Sequence, residues 1–191
     1  MRFCNALRVL KFVLAAFVSS SFAPKAPATS PIFRCDNGKI TLTSEAPLEV
    51  IKARSNKLKG VVDAEKRTFA WTIDIADFEG FNCPLQREHF NENYLESELY
   101  PAAYFRGKLI EDVDLSRDGD YSVRAKGRLA VHGVSQERII KTSISVKGKK
   151  MRARADFMVP LSDHDITVPR LVHQKIAEEI AVSVDAELTA Q

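Results

Sequence analysis

Between residues 103 and 161 apolar and polar side chains alternate almost without a break. Ala103, Phe105, Gly107 and Leu109 share one side, opposite Tyr104, Arg106, Lys108 and Ile110. Tyr121, Val123, Ala125, Gly127, Leu129 and Val131 form the next row. Ile140, Thr142, Ile144 and Val146 follow, and then Met151, Ala153, Ala155, Phe157, Val159 and Leu161. A repeat of two residues belongs to strands, because successive side chains leave a strand on opposite faces. The same pattern recurs at 38–44, 49–55, 58–64, 68–75 and in Ile180, Val182, Val184, Ala186 and Leu188. The chain therefore predicts about eight strands, several of them longer than usual.

Turn signals separate these runs. Arg117-Asp118-Gly119-Asp120 reads as a tight Asp-Gly turn, and His132-Gly133-Val134-Ser135 and Gly148-Lys149-Lys150 read as two more. Short connections make sequential strands antiparallel neighbours. Each run has one apolar face, which must be buried by a second layer or by closure of the sheet on itself. Only 84–96 and 169–178 read as helical, too little to cover such a sheet. The expected fold is all-β, an up-and-down antiparallel barrel of about eight strands with one or two short helices.

The inward rows carry small residues at mid-strand, Ala125 beside Gly127 and Ala153 beside Ala155, with Tyr121 and Phe157 toward the ends. A barrel of this size is filled by large side chains or holds one small ligand if they are small. No charged residue stands in these rows, so a void there would suit an apolar chain. Close strand packing explains the same small residues equally well. The expected wall is Trp71, Ile73, Phe105, Leu109, Val123, Ala125, Leu129, Ile144, Ala155 and Phe157. Before the first helix stand Phe78 and Phe81. Within it, Phe90 and Tyr94 lie four apart on one face, and Glu88, Glu92 and Glu96 form an acidic stripe. Phe78, Phe81, Phe90 and Tyr94 are the expected mouth, with the helix as a cap or as a plug.

Several motifs carry a likeness. They are Phe78-x-Gly80-Phe81, the stretch from Leu85 to Glu96, Tyr100-Pro101-x-Ala103-x-Phe105-x-Gly107, Gly127-x-Leu129-x-Val131-His132-Gly133-Val134, and Phe157-x-Val159-x-Leu161-Ser162-Asp163-His164-Asp165-Ile166-x-Val168-Pro169. Together they resemble the YceI-like family of secreted bacterial proteins over roughly 38–188. The resemblance implies an elongated, lipocalin-like barrel and, as in some members, a polyisoprenoid or other long amphiphile inside it. Many members read His-Leu-Arg-Ser where this chain has Glu88-His89-Phe90-Asn91, so an aromatic ring replaces a basic side chain here.

Residues 1–23 read as a secretory signal. Arg2, Arg8 and Lys11 precede the apolar run 12–18, and Ser19, Ser20, Ser21, Phe22 and Ala23 follow it. The cut falls after 23 or as late as 28, and 24–37 is an N-terminal lead-in to the barrel domain, 38–191. The apolar run is far short of the ~20 residues that span a bilayer, so no permanent membrane anchor is expected. Three of the 28 basic residues lie in the signal, and the 25 that remain meet 25 acidic ones. A neutral mature chain has no field to gather phosphate backbones, which argues against nucleic acid. The expected location is periplasmic or secreted, where disulfides persist. Cys35 and Cys83 form one bridge or stay as two thiols, and a homodimer is left open.

Four histidines raise the question of catalysis. Asp163-His164-Asp165 reads as a polar turn, His89 and Glu92 share a helix face, His132 precedes a turn, and His173 lies in the second helical segment. None forms a zinc-binding pair, and no nucleophile elbow or phosphate loop is present. The expectation is no enzyme, no catalytic or metal residue, and no cofactor apart from a bound isoprenoid or other lipid. The expected function is a carrier of a long apolar molecule of polyisoprenoid, quinone or fatty-acyl type. The alternative is a structural or stress-related envelope module whose barrel is full.

Overall fold

The computed structural model describes residues 31–191. The expected signal, both cut sites and Cys4 lie outside the described residues. Eight strands close into one antiparallel barrel in sequence order. They are β1 Ile32–Glu45, β2 Val50–Asp63, β3 Thr68–Asp74, β4 Ala102–Leu109, β5 Gly119–Val131, β6 Val134–Lys147, β7 Lys150–Pro160 and β8 Glu179–Ala190. β1 pairs with β8 and completes the ring.

The rows expected to face inward in β4 to β8 do so. Ala125, Ala153, Ile144, Val182 and Leu188 are all buried, while Arg124, Lys141, Arg152 and Asp185 point outward. The first third of the chain differs from its sequence reading. β1 begins at Ile32, so the last six residues of the expected lead-in already belong to the wall. The runs 49–55 and 58–64 are one strand, β2. Irregularities in the β1–β2 pairing explain both errors. The register shifts between Cys35 and Gly38, and again between Gly38 and Ile40, which pairs with Ser55. An inserted residue inverts the alternation beyond it, so one strand reads as two. The Ser55 hydroxyl accepts the Lys57 N–H at 3.2 Å and satisfies a donor at this bend.

Two turns form as expected. His132 and Gly133 both have positive φ, 49° and 73°, as a two-residue hairpin requires. Gly148 (φ 57°) and Lys149 join β6 to β7. The Asp-Gly signal at 118–119 is not a hairpin. Gly119 opens β5, and the Asp118 carboxylate instead accepts the Gly148 N–H at 2.7 Å. The β4–β5 connection, residues 110–118, is long because it folds across the barrel end. It inserts Leu115, fully buried, against Phe33, Met151 and Leu188. The Tyr121 hydroxyl lies 3.0 Å from both the Asp114 and Arg117 carbonyls and holds the loop there.

At the opposite end, α1 (Pro84–His89) runs directly into a π-helical turn, Phe90–Tyr94. The second expected helix, 169–178, is a pair of turns. Its backbone is drawn to the β1–β2 end instead: the Leu48 N–H donates to the Gln174 carbonyl at 2.8 Å, and the Ala177 N–H to the Ser44 hydroxyl at 2.8 Å. Cys35 is buried toward the Leu115 end, whereas Cys83 is exposed beside α1, and both are free thiols. Burial pushes the Cys35 thiol up. In a Cys4→Ser chain, an alkylating reagent at neutral pH should therefore label Cys83 alone in the folded protein, with Cys35 reacting only after denaturation. Protection of both thiols until a reductant is added would show a bridge.

Candidate functional site

The barrel interior changes character along its axis. The Leu115 end is packed solid by Phe33, Leu115, Val146, Met151 and Leu188, each at most 1% exposed. Above this plug lies a cavity of about 600 Å3, within the ~300–1,000 Å3 usual for small-molecule sites. Its depth is lined by Val62, Phe69, Leu109, Ala125, Ile144 and Ala153, and its middle by Trp71, Ile73, Phe105, Leu129, Ala155 and Phe157. Phe78, Phe81, Phe90 and Tyr94 line the outer end. All the expected wall and mouth residues therefore line it except Val123, which packs into the plug one step deeper. Gly127 does not line it either. A Cβ there would meet the Arg106 carbonyl oxygen at 2.4 Å, so its small size serves the close approach of β4 and β5.

Two features open the space. Gly60 faces Trp71 directly across the β2–β3 pair. A Cβ at Gly60 would lie 2.1 Å from the indole, so only glycine lets the ring lie flat along the wall. The second is the β6–β7 seam. These strands pair only over residues 143–147 and 150–154, and beyond that rung they diverge. Thr142, Arg154 and Ala155 line the cavity where the seam parts. The charge-free lumen expected from sequence holds for its depth. Charged side chains meet the cavity at its edges, Glu49 and Lys175 at the outer end and Arg154 at the seam. Arg138 also lies on the inward row of β6, at the rim, where it pairs with Asp163.

The mouth is built on aromatic contacts. Phe90 packs edge-on to Phe78 at 5.7 Å and tilted against Phe81 at 5.0 Å. Tyr94, one helical turn on, packs with Leu95, Ile166 and Leu161, and burial pushes its phenol up. The glutamates of the expected acidic stripe remain largely solvated, with one exception. Glu96 takes a positive φ of 43° and accepts a 2.6 Å hydrogen bond from His132 Nε2.

His132, expected only to precede a turn, lies on the row opposite Val131. It is half-buried, stacked edge-on to Tyr100 at 4.8 Å, with Nδ1 donating to the His164 carbonyl at 3.1 Å. This joins the helix, the β5–β6 turn and the 3-10 turn Leu161–His164. Gln136 donates to the Asp163 carbonyl at 2.8 Å from the same side. His164 itself is fully buried; its Nδ1 donates to the Val134 carbonyl at 3.1 Å. Asp163 pairs with Arg138, and Asp165, at φ 55°, ends the turn. Among the described residues no group of three His, Cys, Asp or Glu is placed to hold a metal. Sequence reading missed this rim because its contacts join residues some thirty apart without a local pattern. Replacing His132 with Ala removes two hydrogen bonds that tie three elements together. Chemical denaturation should show a loss of about 1–3 kcal/mol.

No helix among the described residues is long and apolar enough to cross a membrane. Comparison with known proteins supports the architecture. A polyisoprenoid-binding domain from Saccharophagus degradans, implicated in plant cell wall breakdown, superimposes with a TM-score of 0.70 at 12% identity, covering 85% of this chain and 99% of that one. BcnA of Burkholderia cenocepacia gives 0.64 at 15% identity, covering 78% and 95%. The YceI protein of Campylobacter jejuni gives 0.58 at 15% identity, covering 73% and 84%. No curated protein matches this sequence. The model of the YceI-like domain matches residues 10–188. By that match over nearly its whole length, and with the closed eight-stranded barrel that goes with it, the chain belongs to the YceI-like domain family.

Proposed function

We propose that this protein is a non-enzymatic carrier or scavenger that holds a long apolar molecule, of polyisoprenoid, quinone or fatty-acyl type, inside the barrel. The observation that carries this reading is the apolar cavity of about 600 Å3 above a solid plug. A barrel filled from end to end, as a purely structural module would have, lacks such a space. Each methylene moved from water into this wall contributes ~0.8 kcal/mol, so a chain of several units binds without specific polar contacts. The polyisoprenoid-binding domain that shares the fold supports the choice of ligand class. Export by the N-terminal segment would place the carrier in the periplasm or outside the cell, free to move an apolar molecule through water.

Organic extraction of the folded protein followed by mass spectrometry should yield a long-chain lipid. A hydrophobic fluorophore should bind and be displaced by added lipid. Failure of both would overturn the reading. Ala125→Phe or Ala155→Phe should lower affinity about tenfold or more while stability changes by less than about 1 kcal/mol. A filled barrel would instead lose about 1–3 kcal/mol through overpacking.

A further inference from the structure

One side of the barrel's outer wall is basic and poorly compensated. β4, β5 and β6 present Arg106, Lys108, Arg124, Lys126, Arg128 and Lys141 to solvent, all of them exposed. The strand pairing sets like against like. Arg106 stands directly opposite Arg128, Lys108 opposite Lys126, and Arg124 opposite Lys141. Like charges at such cross-strand positions repel and cost stability. The β7–β8 wall is built the other way. There Arg152 faces Glu187 and Arg154 faces Asp185 across the ladder, and Asp185 lies 2.6 Å from Arg152 and 3.4 Å from Arg154.

Two carboxylates enter the basic face. Glu111 pairs with Arg124 at 2.7 Å, and Glu137 with Lys126 at 3.1 Å. Arg106, Lys108, Arg128 and Lys141 make no ion pair among the described residues. The Arg106 guanidinium lies over the Tyr104 ring instead, 5.6 Å from its centre. Apolar side chains are exposed among these cations. Ile139, directly opposite Lys126, is 56% exposed, and Tyr104 and Ile110 are exposed beside Arg106 and Arg124.

We infer that the outer face of β4, β5 and β6 is a docking surface for an anionic lipid bilayer, on which the barrel lies on its side. Charge complementarity calls for an anionic partner, and composition selects the bilayer. A polyanion in solution needs only cations along its path. A bilayer offers an array of phosphates above an apolar layer, so it takes cations spread in two dimensions with apolar side chains between them. Three adjacent strands provide that spread, and Ile139 stands within it. The inference does not depend on what fills the cavity. β6 also borders the seam where the cavity wall parts from β7, so the docked face adjoins that seam.

Sedimentation with vesicles at low salt tests this. The protein should bind vesicles of equal parts phosphatidylcholine and phosphatidylglycerol, and should leave vesicles of phosphatidylcholine alone unbound. Each cation near an anionic surface contributes roughly fivefold in affinity, so Arg106→Gln with Arg128→Gln should weaken binding about twentyfold. Removing this pair relieves repulsion, so the variant should keep its Tm. Lys39→Gln with Lys52→Gln takes the same charge from β1 and β2, across the ring, and should change binding by less than about threefold. Ile139→Ser should weaken vesicle binding several-fold and leave retention on heparin unchanged. Equal binding to both kinds of vesicle, or equal losses in the two double variants, would overturn the docking face. Retention on heparin without binding to the mixed vesicles would overturn the bilayer in favour of a soluble polyanion.

Discussion

Closure of the backbone hydrogen-bond ring governs everything else in this molecule. Eight strands joined edge to edge leave no free sheet edge where pairing is complete, and they fix the width of the interior. Every second side chain must then enter that interior, whatever its size. Whether the barrel is solid or hollow becomes a matter of residue volume along the axis. At one end Phe33, Leu115, Met151 and Leu188 meet and exclude all space. Farther along, Ala53, Ala125, Ala153 and Ala155 face one another around a space they cannot fill. Wall and cavity are one construction, and the same alternation that closes the sheet supplies the lining.

The division between what could and could not be read from sequence follows the range of each interaction. β4 to β8 were legible because parity is local: Phe157 and Val159 announce their face without reference to any partner. β1 and β2 were not, because the register shifts near Cys35, Gly38 and Ser55 invert parity, and a bulge is visible only once two strands are paired. The wall residues were legible from the same rows, yet their depth was not. Val123 and Ala125 share a row, but Leu115 reaches the first from a loop whose path no periodicity predicts. The turns at 169–178 failed as a helix because hydrogen bonds to the β1–β2 end compete successfully for the backbone.

The polar groups sort by a related rule. On the outer surface Arg152 grips Asp185 with bonds of 2.7 and 2.6 Å, which hold that carboxyl below the usual range, but such exposed pairs add little stability. At the rim the polar contacts do more, because they are partly buried and span elements. Glu96, His132 and Asp165 all accept left-handed backbone there, a conformation costly for residues other than glycine. The hydrogen bonds through His132 and the Arg138–Asp163 pair hold that geometry in place. The rim is therefore a frame for the mouth, and its histidines need no catalytic role to explain their positions.

Glycine and alanine, which a sequence pattern treats alike as small, do different work in this wall. At Gly107 and Gly127, which face each other across β4 and β5, an added Cβ would strike backbone at 2.1 and 2.4 Å. Their size is demanded by the approach of two strands, and it creates no room. At Gly60 the space a Cβ would take is filled by Trp71. Ala155 differs in kind, because it lines the lumen and is only partly covered by its neighbours. The packed sheet needs the glycines, whereas a larger residue at Ala155 would have lumen to enter. Retaining alanine there costs the folded chain the burial that Leu or Phe would contribute, ~0.8 kcal/mol per methylene. An apolar molecule that entered the cavity would cover the same methyl group, whereas nothing that binds there would change what the glycines do for the strand pairing.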